Sequence, residues 1–323
     1  MGTRKLAAVA VTMIVTGTMG VAAAGAAETV GTSFPAGFPS IVDASLGSPV
    51  LGFGAAGTVR RTPVILLHGN NDTPFATACN PYGEMHSLAQ YLADHGYATS
   101  ELWALGYQGA QCDTITTPTN KSGVAHSTVA NIPDLDRFVK AVLAYTGAKR
   151  VDVVGHSLGV TLARAWMKAD HTNHLVRRLI AVDGPNHGII SCSPSPLNYW
   201  QAAANGGFTP DSAICQEYGS ADSPFLTWLN RGDETHGPTR YLVIRNLGPD
   251  FVYSPEQDGV LPGVPAEDSL GRPHDFSGSA SLQGAEEIGL TGQGIYDPFL
   301  ATSHLGILNS PETLAATLSF LSR

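Results

Sequence analysis

Charge is scarce in this chain. Asp, Glu, Lys and Arg make up 14% of its 323 residues, against roughly 25% in ordinary soluble domains. What remains is acidic, with a formal net charge of −9. Nucleic-acid surfaces are built on clustered Lys and Arg, so no nucleic-acid partner is expected. Cysteine is also rare. The four cysteines are Cys79, Cys112, Cys192 and Cys215, and none form a C-x-x-C pair. That argues against zinc-knuckle and thioredoxin-type sites. No H-E-x-x-H or calcium-loop spacing occurs either, so no metal and no cofactor is expected. Gly52-Phe53-Gly54-Ala55-Ala56-Gly57 matches G-x-G-x-x-G. It follows no strand-length run and opens no helix, so it fails the structural test of a dinucleotide loop.

Only one long apolar run is present, and it lies at the start. Arg4 and Lys5 precede a greasy stretch from Leu6 to about Val21, followed by small residues through Ala27. A basic head, a short apolar segment and an A-x-A-type site read as a secretory signal peptide over 1–27. No other segment has bilayer-spanning length, so no stable membrane anchor is expected and the protein is expected outside the cell. In an exported chain, four cysteines favour two disulfides. Of the three pairings, Cys79–Cys112 and Cys192–Cys215 close the shortest loops and are preferred. Asn71-Asp72-Thr73 and Asn120-Lys121-Ser122 are glycosylation-type triplets with a high chance rate. A monomer is expected.

Residues 28–60 are rich in Gly, Ser and Pro and read as a mostly irregular N-terminal arm. Apolar strand runs then alternate with helical spacing. Strands are expected at 63–68, 97–105, 150–154, 178–182, 240–245 and 285–289. Helices are expected at 82–95, 129–145, 157–168 and 313–321. Such alternation implies an α/β fold, a mostly parallel sheet with helices on both faces. A long insertion, 184–236, interrupts the pattern.

Gly155-His156-Ser157-Leu158-Gly159 follows the run Val151–Val154 and precedes a helical pattern. That is G-x-S-x-G in its strand–turn–helix setting. The tight turn lifts the Ser157 hydroxyl clear of the sheet, and the glycines let strand and helix pass closely. The helix behind Ser157 aims its free N–H groups and positive end at the same point.

With Thr62-Pro-Val-Ile-Leu-Leu-His-Gly-Asn-Asn71, this segment resembles the α/β-hydrolase family over roughly Pro63 to Leu321. It is similar to secreted bacterial lipases and to single-domain extracellular polyhydroxybutyrate depolymerases. The resemblance implies a Ser, acid, His order. Ser157 is then the nucleophile and His304, just before the terminal helix, the base. Asp250, close after the strand 240–245, is the preferred acid. Asp258 has the same Asp-x-Val setting, and Asp183 ends an earlier strand where some lipases carry the acid. The oxyanion hole falls to the backbone N–H groups of Leu158 and Asn70, with Asn71 as the fallback. His274 reads as a solvated loop residue. His187 reads as lining the site without acting as base. Glu286 and Glu287 face opposite sides of their strand and are unsuited to shared acid–base work.

The resemblance implies a lipase or esterase cleaving carboxylic esters through an acyl-enzyme. The alternatives are a polyester depolymerase and an acyltransferase using the same triad. The substrate is expected to carry an apolar acyl chain or to be a polyester surface. The insertion brings Tyr199, Trp200, Phe208, Tyr218, Phe225, Trp228 and Leu229. As a cap these make an acyl pocket; as an ordinary lobe they fill its own core. The chain reaches no separate polymer-binding module after its terminal helix, so a polymer is expected to dock on the catalytic domain itself.

Overall fold

The computed structural model describes residues 28–39, 51–70, 72–78, 83–107, 127–196, 208–248, 250, 266–291 and 302–323. The leader 1–27, Asn71, Cys79, Cys112, Tyr199, Trp200 and Asp258 lie outside the described residues.

The apolar runs form a seven-stranded sheet in the order β1-β3-β2-β4-β5-β6-β7. The strands are β1 (Gly52–Phe53), β2 (Val64–Leu67), β3 (Leu102–Leu105), β4 (Val151–His156), β5 (Val176–Val182), β6 (Arg240–Asn246) and β7 (Glu286–Leu290). All neighbours run parallel except β1, which pairs antiparallel with β3. Every residue of β2 and β4 is buried, as a sheet covered on both faces requires.

Side-chain alternation divides each strand between two cores. Ile65, Leu67, Val153, Leu179 and Val243 join the larger core with α2 (Thr128–Thr146) and α3 (Leu158–Ala169). Val64, Leu66, Val154, Ile180 and Ile244 join the other with α1 (Glu84–Asp94) and α7 (Pro311–Ser322). The fold is that of an α/β-hydrolase.

Local chemistry moves several boundaries. The strand expected over 97–105 starts only at Leu102. The Glu101 carboxylate accepts the Ala98 N–H at 3.0 Å and turns Thr99–Glu101 into a 3-10 turn. The arm expected to be mostly irregular supplies β1, and it buries Val30, Phe38 and Phe53. His304 lies in a short helix, α6 (Thr302–Gly306), rather than in a loop. The Ser310 hydroxyl then accepts the Thr313 N–H at 3.2 Å and starts α7 as a separate helix.

The segment 184–236 contains α4 (Ala213–Tyr218) and α5 (Pro224–Asn230). The Cys192–Cys215 disulfide ties it together. Phe208, Tyr218, Phe225 and Leu229 are buried in the larger core, with Trp228 packed against it. These aromatics are packing residues and do not form an exposed acyl-binding face. Glu217 reaches across to α2 and Tyr218 to α3. The Glu217 carboxylate accepts the Thr128 N–H at 2.8 Å, and the Tyr218 hydroxyl bonds Thr161 at 2.7 Å. Arg164 of α3 pins both ends of the segment, donating to Asn186 Oδ1 and Asn230 Oδ1 at 2.9 Å each.

Candidate active site

Ser157 joins β4 to α3 with φ 52° and ψ −125°. Positive φ is sterically costly for a residue with a Cβ, by about 1–3 kcal/mol. Two bonds enforce it: the Ser157 N–H donates to Val182 O at 2.9 Å, and Val160 N–H donates to Ser157 O at 3.0 Å. The close passage of helix and strand is equally demanding. A Cβ on Gly159 would lie 2.4 Å from Leu67 O, so only glycine fits without moving β2.

The loop after β2 comes up beside the serine. A Cβ on Gly69 would stand 3.0 Å from Ser157 Cβ. His68 braces this loop by donating Nδ1–H to Gly69 O at 2.7 Å. Its ring stacks on Tyr107 with centroids 4.3 Å apart, and the Tyr107 hydroxyl donates to His68 O at 2.6 Å. Burial drives the His68 pKa down to about 4, against a smaller upward pull from the Gly69 hydrogen bond. His68 is therefore neutral at ordinary pH. Asn70 follows in the same turn, and Leu158 is the first residue of α3.

Three titratable groups converge beyond the strand ends. Asp183 follows β5 with φ 51°, and its Oδ1 accepts the Asn246 N–H at 3.0 Å. Asp250 lies shortly after β6. His304 Nδ1 is 3.1 Å from Asp183 Oδ2 and 3.2 Å from Asp250 Oδ2. All three residues are buried.

Burial works to lower the His304 pKa. The Asp250 charge and hydrogen bonds to both carboxyls overcome it and lift the group to about 10. Burial and the Asp250 charge raise Asp183 to about 7, partly offset by His304. A pair of carboxyls this close cannot both ionise easily, so Asp183 holds the more weakly acidic proton. One imidazole and two carboxyls within 4.8 Å of one another also make a geometric ligand set for a cation. An Nδ1–H on His304 makes the same set a hydrogen bond shared by the two carboxyls.

His156 completes the cluster. Its Nε2–H donates to His304 O at 2.9 Å, and the two rings lie 4.8 Å apart. Burial and the His304 charge lower the His156 pKa to about 3.

The other candidates have partners of their own. His187 pairs with Glu234 at 3.0 Å, and His274 packs edge-on to Phe276. Glu286 pairs with Arg240 and Arg323, and Glu287 with Arg245. The structure brings Asp183 to His304 as well as Asp250, and it adds His156 and Tyr107, which the sequence did not single out. Strand order was the available signal for Asp183, because β5 runs beside β4 and ends at the same edge.

This site belongs to a carboxylic-ester hydrolase of the lipase and esterase type. The family model for lipase (class 2) matches residues 61–254, more than half of the chain, which therefore belongs to the class 2 lipase family. Among solved structures, the mature lipase BlEst2 of Bacillus licheniformis is similar at 15% identity and a TM-score of 0.52. The match covers 84% of this chain and 97% of that one. The propeptide form of the same lipase is also 15% identical, with a TM-score of 0.50, covering 85% of this chain and 53% of that one. Aspergillus fumigatus lipase B is 18% identical with a TM-score of 0.48, covering 81% of this chain and 53% of that one. At these identities the two BlEst2 structures speak for the fold alone.

Proposed function

We propose that this protein is a secreted lipase or esterase in which Ser157, His304 and Asp250 form the triad. The observation that carries this reading is His304, held by two carboxyls at the strand edge where Ser157 is forced into its turn. Ser157 Oγ attacks the ester carbonyl and gives its proton to His304 Nε2. The oxyanion takes N–H bonds from Leu158 and Asn70. Collapse expels the alcohol, which takes the proton from His304. Water then enters with His304 as base and frees the acid.

Asp250 fixes the Nδ1–H tautomer and stabilises the imidazolium. Asp183 is a second acceptor on the same proton. The leader 1–27 and the disulfide accord with export, and no described helix is long and apolar enough to cross a membrane. The insertion 184–236 acts as a structural lobe against α3, and the enzyme works as a monomer.

A fluorophosphonate probe tests the nucleophile, with covalent label on Ser157 expected and none on Ser157→Ala. A series of short-chain ester, emulsified triglyceride and polyhydroxybutyrate film separates the substrates. Triglyceride cleavage supports the lipase reading, and cleavage of the film alone replaces it with a polyester depolymerase. Acyl transfer outrunning hydrolysis when an alcohol acceptor is added replaces it with an acyltransferase.

A further inference from the structure

Cations are few in this chain, yet five of the 18 Lys and Arg residues line one cavity of about 340 Å³. Arg60 and Arg61 come from the segment before β2, Lys149 and Arg150 from the turn before β4, and Arg177 from the start of β5. Thr62 adds a hydroxyl, and no carboxylate lines the space.

The fold holds part of this set in place. Glu101 Oε1 accepts the backbone N–H groups of both Arg60 and Arg61 at 2.7 Å. It thus fixes the backbone from which both arginines reach the cavity wall. The Arg61 guanidinium lies 4.5 Å over the Tyr97 ring. Arg177 Nε donates to buried Asp152 at 2.9 Å. Arg60, Lys149 and Arg150 have no ion pair among the described residues. Lys149 and Arg150 also suit the negative end of α2, which turns at Gly147. That helix end does not account for Arg60 and Arg61, which arrive from another part of the chain.

We propose that this cavity is a binding site for a phosphate-bearing anion. Guanidinium forks match the paired oxygens of a tetrahedral oxyanion, and an ammonium adds a compact charge. The lining is too polar for an acyl chain. The site lies at the strand ends opposite Ser157, separated by the six residues of β4, about 20 Å of extended chain. The bound anion is therefore not the ester under attack. Docking this face on a lipid layer would turn Ser157 away from it, which favours a soluble phosphate compound over a lipid headgroup. The site is independent of the catalytic assignment.

Isothermal titration with tripolyphosphate and with inorganic phosphate, at ionic strength matched by sodium chloride, tests the site. The expected result is saturable binding of tripolyphosphate, weakened at least tenfold in Arg60→Gln/Arg150→Gln, with short-chain ester hydrolysis unchanged. Lys149→Gln, read against its circular dichroism spectrum, serves if the double variant does not fold. Sedimentation with phosphatidic acid vesicles distinguishes the source. Capture lost in the same variants, without tripolyphosphate binding, keeps the phosphate site and assigns it to a headgroup. Binding no stronger than with chloride alone, or equal in wild type and variants, overturns the proposal.

Discussion

His156, the residue before the candidate nucleophile, donates its Nε2–H to the backbone carbonyl of His304 at 2.9 Å. The strand that carries Ser157 thus also holds the backbone that carries the imidazole. Of the two neutral forms of His156, only the tautomer protonated on Nε2 makes this bond. Its depressed pKa keeps it in that neutral state.

Ser157→Ala is expected to lower turnover by about 10⁶-fold, as triad knockouts do elsewhere. Ser157→Gly should be equally inactive yet more stable. Glycine relieves the φ of 52°, a gain of about 1 kcal/mol. Thermal melting would show a rise of about 2 °C. A lower melting point would mean that the turn is not strained.

The two aspartates give a pH test. His304 acts as base only when neutral, and both carboxyls raise its pKa. The acid limb of kcat/KM should therefore lie above the ordinary histidine range. Asp183→Asn removes one upward influence, so the limb should move to lower pH with kcat reduced about tenfold or less. Asp250→Asn should cost about 10⁴-fold, as loss of the triad acid does, and Asp258→Asn should stay within a few-fold. Collapse in the last variant alone reassigns the acid.

Stability should also respond to His68. Its folded pKa of about 4 lies below the ordinary value of 6.5. The unfolded chain therefore takes up the proton first. Stability is fully present above 6.5 and is lost as pH falls toward 4, by about 3 kcal/mol at most. His68→Gln does not titrate. It should be less stable than wild type at pH 7, and urea unfolding should show the gap closing by pH 4.5.

The Cys192–Cys215 bridge spans 23 residues, which corresponds to about 3 kcal/mol in the chain-entropy account. Cys192→Ala/Cys215→Ala should lose a similar amount in urea, with ester hydrolysis retained at low temperature. An unchanged midpoint would show that the core contacts of Phe208, Tyr218 and Phe225 suffice on their own.

Short-range features were readable from the chain. Ser157 declared itself because the strand, its turn and the following helix are consecutive. The apolar runs of β2, β4 and β5 likewise needed no distant information. The acid was harder to place, because His304 meets Asp183 across 121 residues and Asp250 across 54. No local pattern encodes which carboxyl arrives, or that both do. The insertion's aromatics were ambiguous for a related reason. Phe225 looks the same in a sequence whether it faces solvent or, as here, packs beside Tyr218 at 5.2 Å.

Among the described residues, one flank of the sheet ends at β7, where Glu286, Glu287 and Gly289 are exposed. An unpaired strand edge is a template for another chain. Here the exposed row carries Glu286 and Glu287, clasped by Arg240, Arg245 and Arg323. A second molecule approaching that flank would have to strip water from five charged groups before its own backbone could zip on.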